Sequence, residues 1–127
     1  MSDGIVILDL AVHGTIQITG ITNSASWPQQ ITVEPSGGPA QTWTGTGMQS
    51  NSVVGQYTIP ESATPTQLKI QMQYDSGSGF QPSQIEFREF QMPGLSGFVV
   101  GGQDGGGRPN GPAYWNTIVF IYFAPPY

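Results

Sequence analysis

The chain has no cysteine. That excludes a disulfide framework and a thiolate metal site, and it leaves the redox compartment open. Charge is also scarce: 9% of residues are charged, with three Lys and Arg against eight Asp and Glu, for a formal net charge of −5. Lys69, Arg88 and Arg108 cannot line a groove for a polyanion, so nucleic acid is excluded as a partner and an anionic membrane surface is disfavoured. No stretch approaches the ~20 apolar residues of a membrane-spanning helix. The opening "MSDGIVILDL" lacks the basic start and long apolar run of a signal peptide. The sequence therefore predicts a soluble protein without membrane insertion, cytoplasmic as synthesised, with any export following a route that needs no signal peptide.

What the chain does have is 18 glycines, 11 prolines and many neutral polar residues among 127, the composition of short extended segments joined by tight turns. This length fits one domain, 1–127. Period-two alternation is clearest in "TQLKIQMQY", where Leu68, Ile70, Met72 and Tyr74 share one face and Lys69, Gln71 and Gln73 the other. "SQIEFREF" repeats the pattern, placing Ile85 and Phe87 inside and Glu86 and Arg88 outside. "GIVILDL", "GTIQITGIT", "SWPQQITVEP", "AQTWTGTG", "NSVVGQYTIP", "SGFVVGG" and "YWNTIVFIYF" complete about nine strands. No window carries apolar residues at helical spacing without a Gly, Pro or β-branched interruption. The expected fold is all-β: a single-domain antiparallel β-sandwich, Greek-key-like. The last strand is apolar on both faces, so one side meets the core and the other is free to meet a second protomer; a homo-oligomer, dimer or tetramer, is expected.

Catalytic constellations are scarce. His13 is the only histidine, and with no cysteine or serine elbow around it, it reads as a polar residue at a strand end. Glu86 and Glu89 lie three apart on a strand, point to opposite faces and cannot flank one glycosidic bond. Glu86 and Arg88 share a face as solvated surface charge. Trp27 and Trp43 read as packing residues, Met48, Met72 and Met92 as gap fillers, and Asp75 as a turn residue bonding its own backbone. The chain is not expected to be an enzyme.

The 101–117 segment is different. Its glycines let the backbone turn, yet it gathers Gln103, Asp104, Arg108, Asn110, Tyr114, Trp115 and Asn116 in one connector. Amides, a carboxylate, a guanidinium and aromatic faces are the groups that bind neutral sugars: planar donors and acceptors meet hydroxyls, and an indole stacks on the C–H face of a pyranose.

Across nearly its whole length the chain resembles the small bacterial calcium-dependent fucose- and mannose-binding lectins (LecB-type). "GIVILDL" is similar to that family's opening strand, "ITNSA" to its Asn-Ser turn, "AQTWTGTGMQSNSVVGQYTI" to its central stretch and "TQLKIQMQYDSGSGFQPSQI" to its next hairpin; "GFVVGGQDG" and "YWNTIVFIYFAPPY" are similar to its binding loop and last strand. The resemblance implies a site in which two calcium ions are caged by acidic residues and completed by sugar hydroxyls. It also implies that Asn23 and Ser24 stand where the family has its Asn-Ser pair, and that Asn116 remains a possible oxygen ligand.

This chain departs from the pattern. Gln103 and Asp104 stand where the family has Glu and Asp, "GGGRPNGPA" replaces the spaced aspartates, and Trp115, Asn116 and Thr117 replace Tyr-Asn-Asp. The family also borrows a C-terminal glycine carboxylate from a neighbouring protomer, whereas this chain ends in "APPY". Asp104 is the only carboxylate of the loop and Arg108 adds repulsion. One carboxylate does not balance two divalent ions, which leaves room for at most one weakly held calcium and no obligatory cofactor. The leading expectation is a calcium-independent, lectin-like protein that binds a carbohydrate or glycoconjugate through Asn23, Ser24, Gln103, Asp104, Arg108, Asn110, Trp115 and Asn116, with avidity from oligomerisation. The alternative is a non-enzymatic structural or protein-interaction module on the same scaffold, with Trp115 serving as packing.

Overall fold

A computed structural model describes residues 4–10, 15–24, 27–45, 48–61, 66–104 and 116–124. These residues form ten strands: β1 Ile5–Leu10, β2 Ile16–Ser24, β3 Gln29–Pro35, β4 Gln41–Gly45, β5 Met48–Ile59, β6 Thr66–Asp75, β7 Phe80–Pro82, β8 Gln84–Met92, β9 Leu95–Gln103 and β10 Thr117–Phe123. One sheet has the order β1-β6-β3-β4, with β7 also paired to β6; the other runs β5-β2-β10-β9-β8. Every pairing is antiparallel. The all-β sandwich is as the alternation predicts. The tenth strand is β7, three residues whose apolar content is too small to register as a period: it pairs with Gln73–Asp75 beyond the stretch of β6 occupied by β1.

Alternation decides which side chains meet between the sheets. On β6, Leu68, Ile70 and Met72 are fully buried; they face Ile31 and Val33 of β3, and Leu8 and Leu10 of β1 close the row. The opposing sheet supplies Ile16, Ile18, Val100, Val119 and Ile121. Each such side chain contributes roughly 1.5–3 kcal/mol by leaving water. Trp43 packs against this core, as its alternation with Thr42 and Thr44 implies.

The outer faces differ. Across the first sheet it is mostly polar, with Gln30 Nε2 donating to Gln73 Oε1 at 3.1 Å, Gln67 Nε2 to Asp9 Oδ1 at 2.9 Å and Ile7 exposed beside Lys69. The second sheet's outer face carries Ile21, Val53, Val99, Ile118, Phe120 and Tyr122, the set that register places opposite the core residues. Phe120 is 39% and Val53 59% exposed. Phe87 shares the inner-face register of Val100 but is 41% exposed. The cause is position: β8 is an edge strand, so its inward side chains are only half covered.

Turn chemistry follows the sequence. Asp75 Oδ1 accepts from the backbone N–H of Gly77 (2.8 Å) and Gly79 (3.1 Å), and both glycines have positive φ. Met92 and Leu95 pair across Pro93-Gly94, with Gly94 at φ 80°, the conformation a type II turn requires of its third residue. Among the described residues, no helix is long and apolar enough to cross a membrane.

Candidate functional site

The 101–117 connector leaves the sandwich at the end of β9 and returns at the start of β10. Its two stems are in register, with Thr117 opposite Gly102. Several inward-facing residues at this end are polar or small: Gln29 on β3, Thr22 on β2, Gly102 on β9 and Thr117 on β10. The sheets approach closely enough for Thr117 Oγ1 to donate to Met72 Sδ at 3.2 Å.

Asn116 ties three chain segments together. Its N–H donates to Gly102 O (2.9 Å) and its carbonyl accepts from Asn23 N (2.8 Å). Its side-chain Nδ2 donates to Asn23 O (3.4 Å), and Oδ1 accepts from Asp104 N (3.0 Å). Asp104, 6% exposed, accepts through Oδ2 from Gln29 Nε2 at 3.0 Å. The same nitrogen donates to Trp27 O at 3.2 Å. Gln29 is fully buried, and two acceptors flanking its nitrogen fix which way the amide points. Its Oε1 has no hydrogen-bond partner among the described residues.

The expected site residues thus separate. The structure brings Asp104, Asn116 and the backbone of Asn23 together. Gln103 belongs to the other face: it pairs with Gln84, and strand alternation turns it away from Gly102 and Asp104. Ser24 closes β2 opposite Met48, next to a register shift. Arg108, Asn110, Tyr114 and Trp115 lie outside the described residues.

Gln29 was not among the expected residues, although the sequence holds its signal. In "QQITVEP" it shares the face of Ile31 and Val33, and a polar residue at an inward position must find a partner. Beside it, Trp27 and Tyr74 stack with ring centroids 5.6 Å apart and planes 17° from parallel. Both are half-buried, and Tyr74 is the register partner of Gln29.

A two-calcium cage requires several negatively charged oxygens. Among the described residues, no group of three or more His, Cys, Asp or Glu converges, and Asp104 is the sole acid between 101 and 117. One Asp104 oxygen already accepts from Gln29, and the Asn116 side-chain oxygen from Asp104 N.

No family model matches the sequence, and comparison with curated proteins finds no match. Solved structures do match over the full length. The C-terminal domain of the BC2L-C lectin from Burkholderia cenocepacia is 20% identical, with a TM-score of 0.67 and 98% of each chain covered. The high-affinity mannose-binding lectin of Ralstonia solanacearum is 20% identical with a TM-score of 0.69, covering 99% of this chain and 100% of that one. The Chromobacterium violaceum lectin CV2L, solved in complex with α-methyl-fucoside, is 19% identical with a TM-score of 0.62 and covers 99% and 100%. This chain has the fold of these bacterial lectins from end to end.

Proposed function

We propose that the protein is a non-enzymatic, lectin-like carbohydrate-binding protein whose site is built around the 101–117 loop and holds a neutral sugar without a two-calcium centre. The observation that carries this reading is the full-length fold likeness to three bacterial lectins, combined with a loop whose stems are anchored by Asp104, Asn116 and Gln29. Anchored stems lower the ordering cost of binding, because the ends of the loop are already fixed. Loop side chains then supply the hydroxyl contacts, with Arg108 as a fork and Trp115 as a stacking face. A glycan array run with and without EDTA tests it: binding that survives chelation supports the reading, and absence of binding in both conditions overturns it.

The sugar site works as part of an assembly in this proposal. The apolar outer face of the second sheet, formed by Val53, Val99, Ile118, Phe120 and Tyr122, is occupied by a second copy of the chain. Two features support that occupant: the other sheet's outer face is mostly polar and hydrogen-bonded, with Ile7 its one strongly exposed large hydrophobic among the described residues, and Glu86 and Arg88 sit together at the edge of the apolar face. A two-fold interface must be its own complement, and an adjacent acid and base satisfy that. Paired sites raise avidity on a glycan-coated surface.

One observation favours the alternative, a structural or interaction module without sugar binding. Asp104 and Asn116 already make hydrogen bonds to the protein itself, as residues holding a fold together do. The same array decides between them.

A further inference from the structure

The three aromatic side chains that lie between or beside the sheets near β3 are used in different ways. Trp43 packs on the core, and its indole covers the backbones of Gly20 and Gly55. Trp27 and Tyr74 do not join the core cluster. They stack on each other at the end of the sandwich, each half-buried, at the Gln29–Asp104–Asn116 end of the molecule. Two large rings that stay out of the core forgo part of the stabilisation that burial would give. They are nevertheless held firmly. Pro28 O accepts from Asp75 N at 3.0 Å, Trp27 O accepts from Gln29 Nε2 at 3.2 Å, and the turn after Tyr74 is fixed by the Asp75 side chain.

We propose that the Trp27–Tyr74 stack is the apolar platform of the saccharide site, on which a neutral pyranose lays its C–H face while its hydroxyls turn toward the Gln29–Asp104–Asn116 end. This inference rests on the carbohydrate-binding reading and adds to it a surface that lies outside the 101–117 loop. Two independent features meet there. One is the stacked, half-buried pair of rings, whose outer surface, beyond the faces they turn to each other, has the quadrupole and apolar area that suit the C–H groups of a sugar ring. The other is the fully buried Gln29 carbonyl oxygen without a partner among the described residues, an acceptor placed to hold an ordered water that a hydroxyl can bind in turn. Neutral saccharides are favoured over acidic ones, because the Asp104 and Asp75 carboxylates lie at this end, bonded to Gln29 and to the Gly77 and Gly79 amides.

The test titrates full-length protein with a panel of neutral methyl pyranosides and with a sialylated one, following the indole N–H resonances; the Trp27 signal is identified by its loss in Trp27→Phe. The expected result is that a neutral glycoside moves the Trp27 resonance, the core Trp43 resonance stays in place, and Trp27→Leu and Tyr74→Leu each weaken binding by about tenfold. Binding of a neutral glycoside with an unmoved Trp27 resonance and unchanged affinity in both variants overturns the platform and leaves the sugar reading standing. No binding by any member of the panel overturns both. If either leucine variant loses its cooperative melt, the wild-type Trp27 resonance decides on its own.

Discussion

Gln29 donates its side-chain amide to the Asp104 carboxylate at 3.0 Å, across 75 residues of sequence. The bond joins the start of β3 in one sheet to the end of β9 in the other, directly at the root of the long connector. It gives a hydrogen-bond donor to a carboxylate that is 6% exposed and whose burial carries a cost. It is therefore both a cross-sheet tie and the fixed point from which the loop departs.

Replacing Gln29 with leucine keeps the volume and removes the donor. The expected cost is about 1–3 kcal/mol in chemical denaturation, because Asp104 is left without that partner. Asp104→Asn keeps an acceptor for Gln29 and should cost less than Q29L. Equal stability of wild type and Q29L would show the bond to be incidental.

Asn116→Ala removes the acceptor for Asp104 N and the donor to Asn23 O. A loss of about 1–3 kcal/mol is expected, with faster amide hydrogen exchange at Asp104. Asn116→Asp restores the acceptor and should recover protection at that amide. Unchanged exchange in Asn116→Ala would mean that the loop stem is held by other contacts.

Gly55→Ala tests the seat of Trp43. A Cβ at position 55 would overlap the indole, and one at Gly20 would lie 2.5 Å from it, so overpacking should cost about 1–3 kcal/mol. Combining Gly55→Ala with Trp43→Leu should cost less than the sum of the two single changes. Strict additivity would place the strain elsewhere.

Calcium should leave the thermal midpoint where it is, and EDTA should not lower it, since a ligand that binds only the folded state must raise the midpoint. A rise of several degrees with millimolar-range calcium would refute the argument from the donor set.

Phe120→Glu places a charge in the centre of the apolar outer face. Light scattering after size exclusion should give a wild-type oligomer and a variant monomer with an unchanged far-ultraviolet spectrum. A monomeric wild type would remove the second copy from the proposal.

Period two is a local property, so the sequence carries it openly. "TQLKIQMQY" assigns its own inner face, and Leu68, Ile70 and Met72 are buried while Gln67 and Lys69 are exposed. Asp75 and its following glycines likewise specify their turn without help from the rest of the chain. The clustering of polar groups between 101 and 117 drew attention to the segment whose stems hold Asp104 and Asn116.

Tertiary structure decided what depends on register between distant segments. Gln29 and Asp104, like Trp27 and Tyr74, meet because β3 pairs with β6 in one sheet and the other sheet packs across it; no local pattern encodes those distances. Alternation also sent Gln103 away from Asp104, although the two are adjacent in sequence. Strand periodicity states which face a residue takes, and only the pairing of strands states whom it meets there.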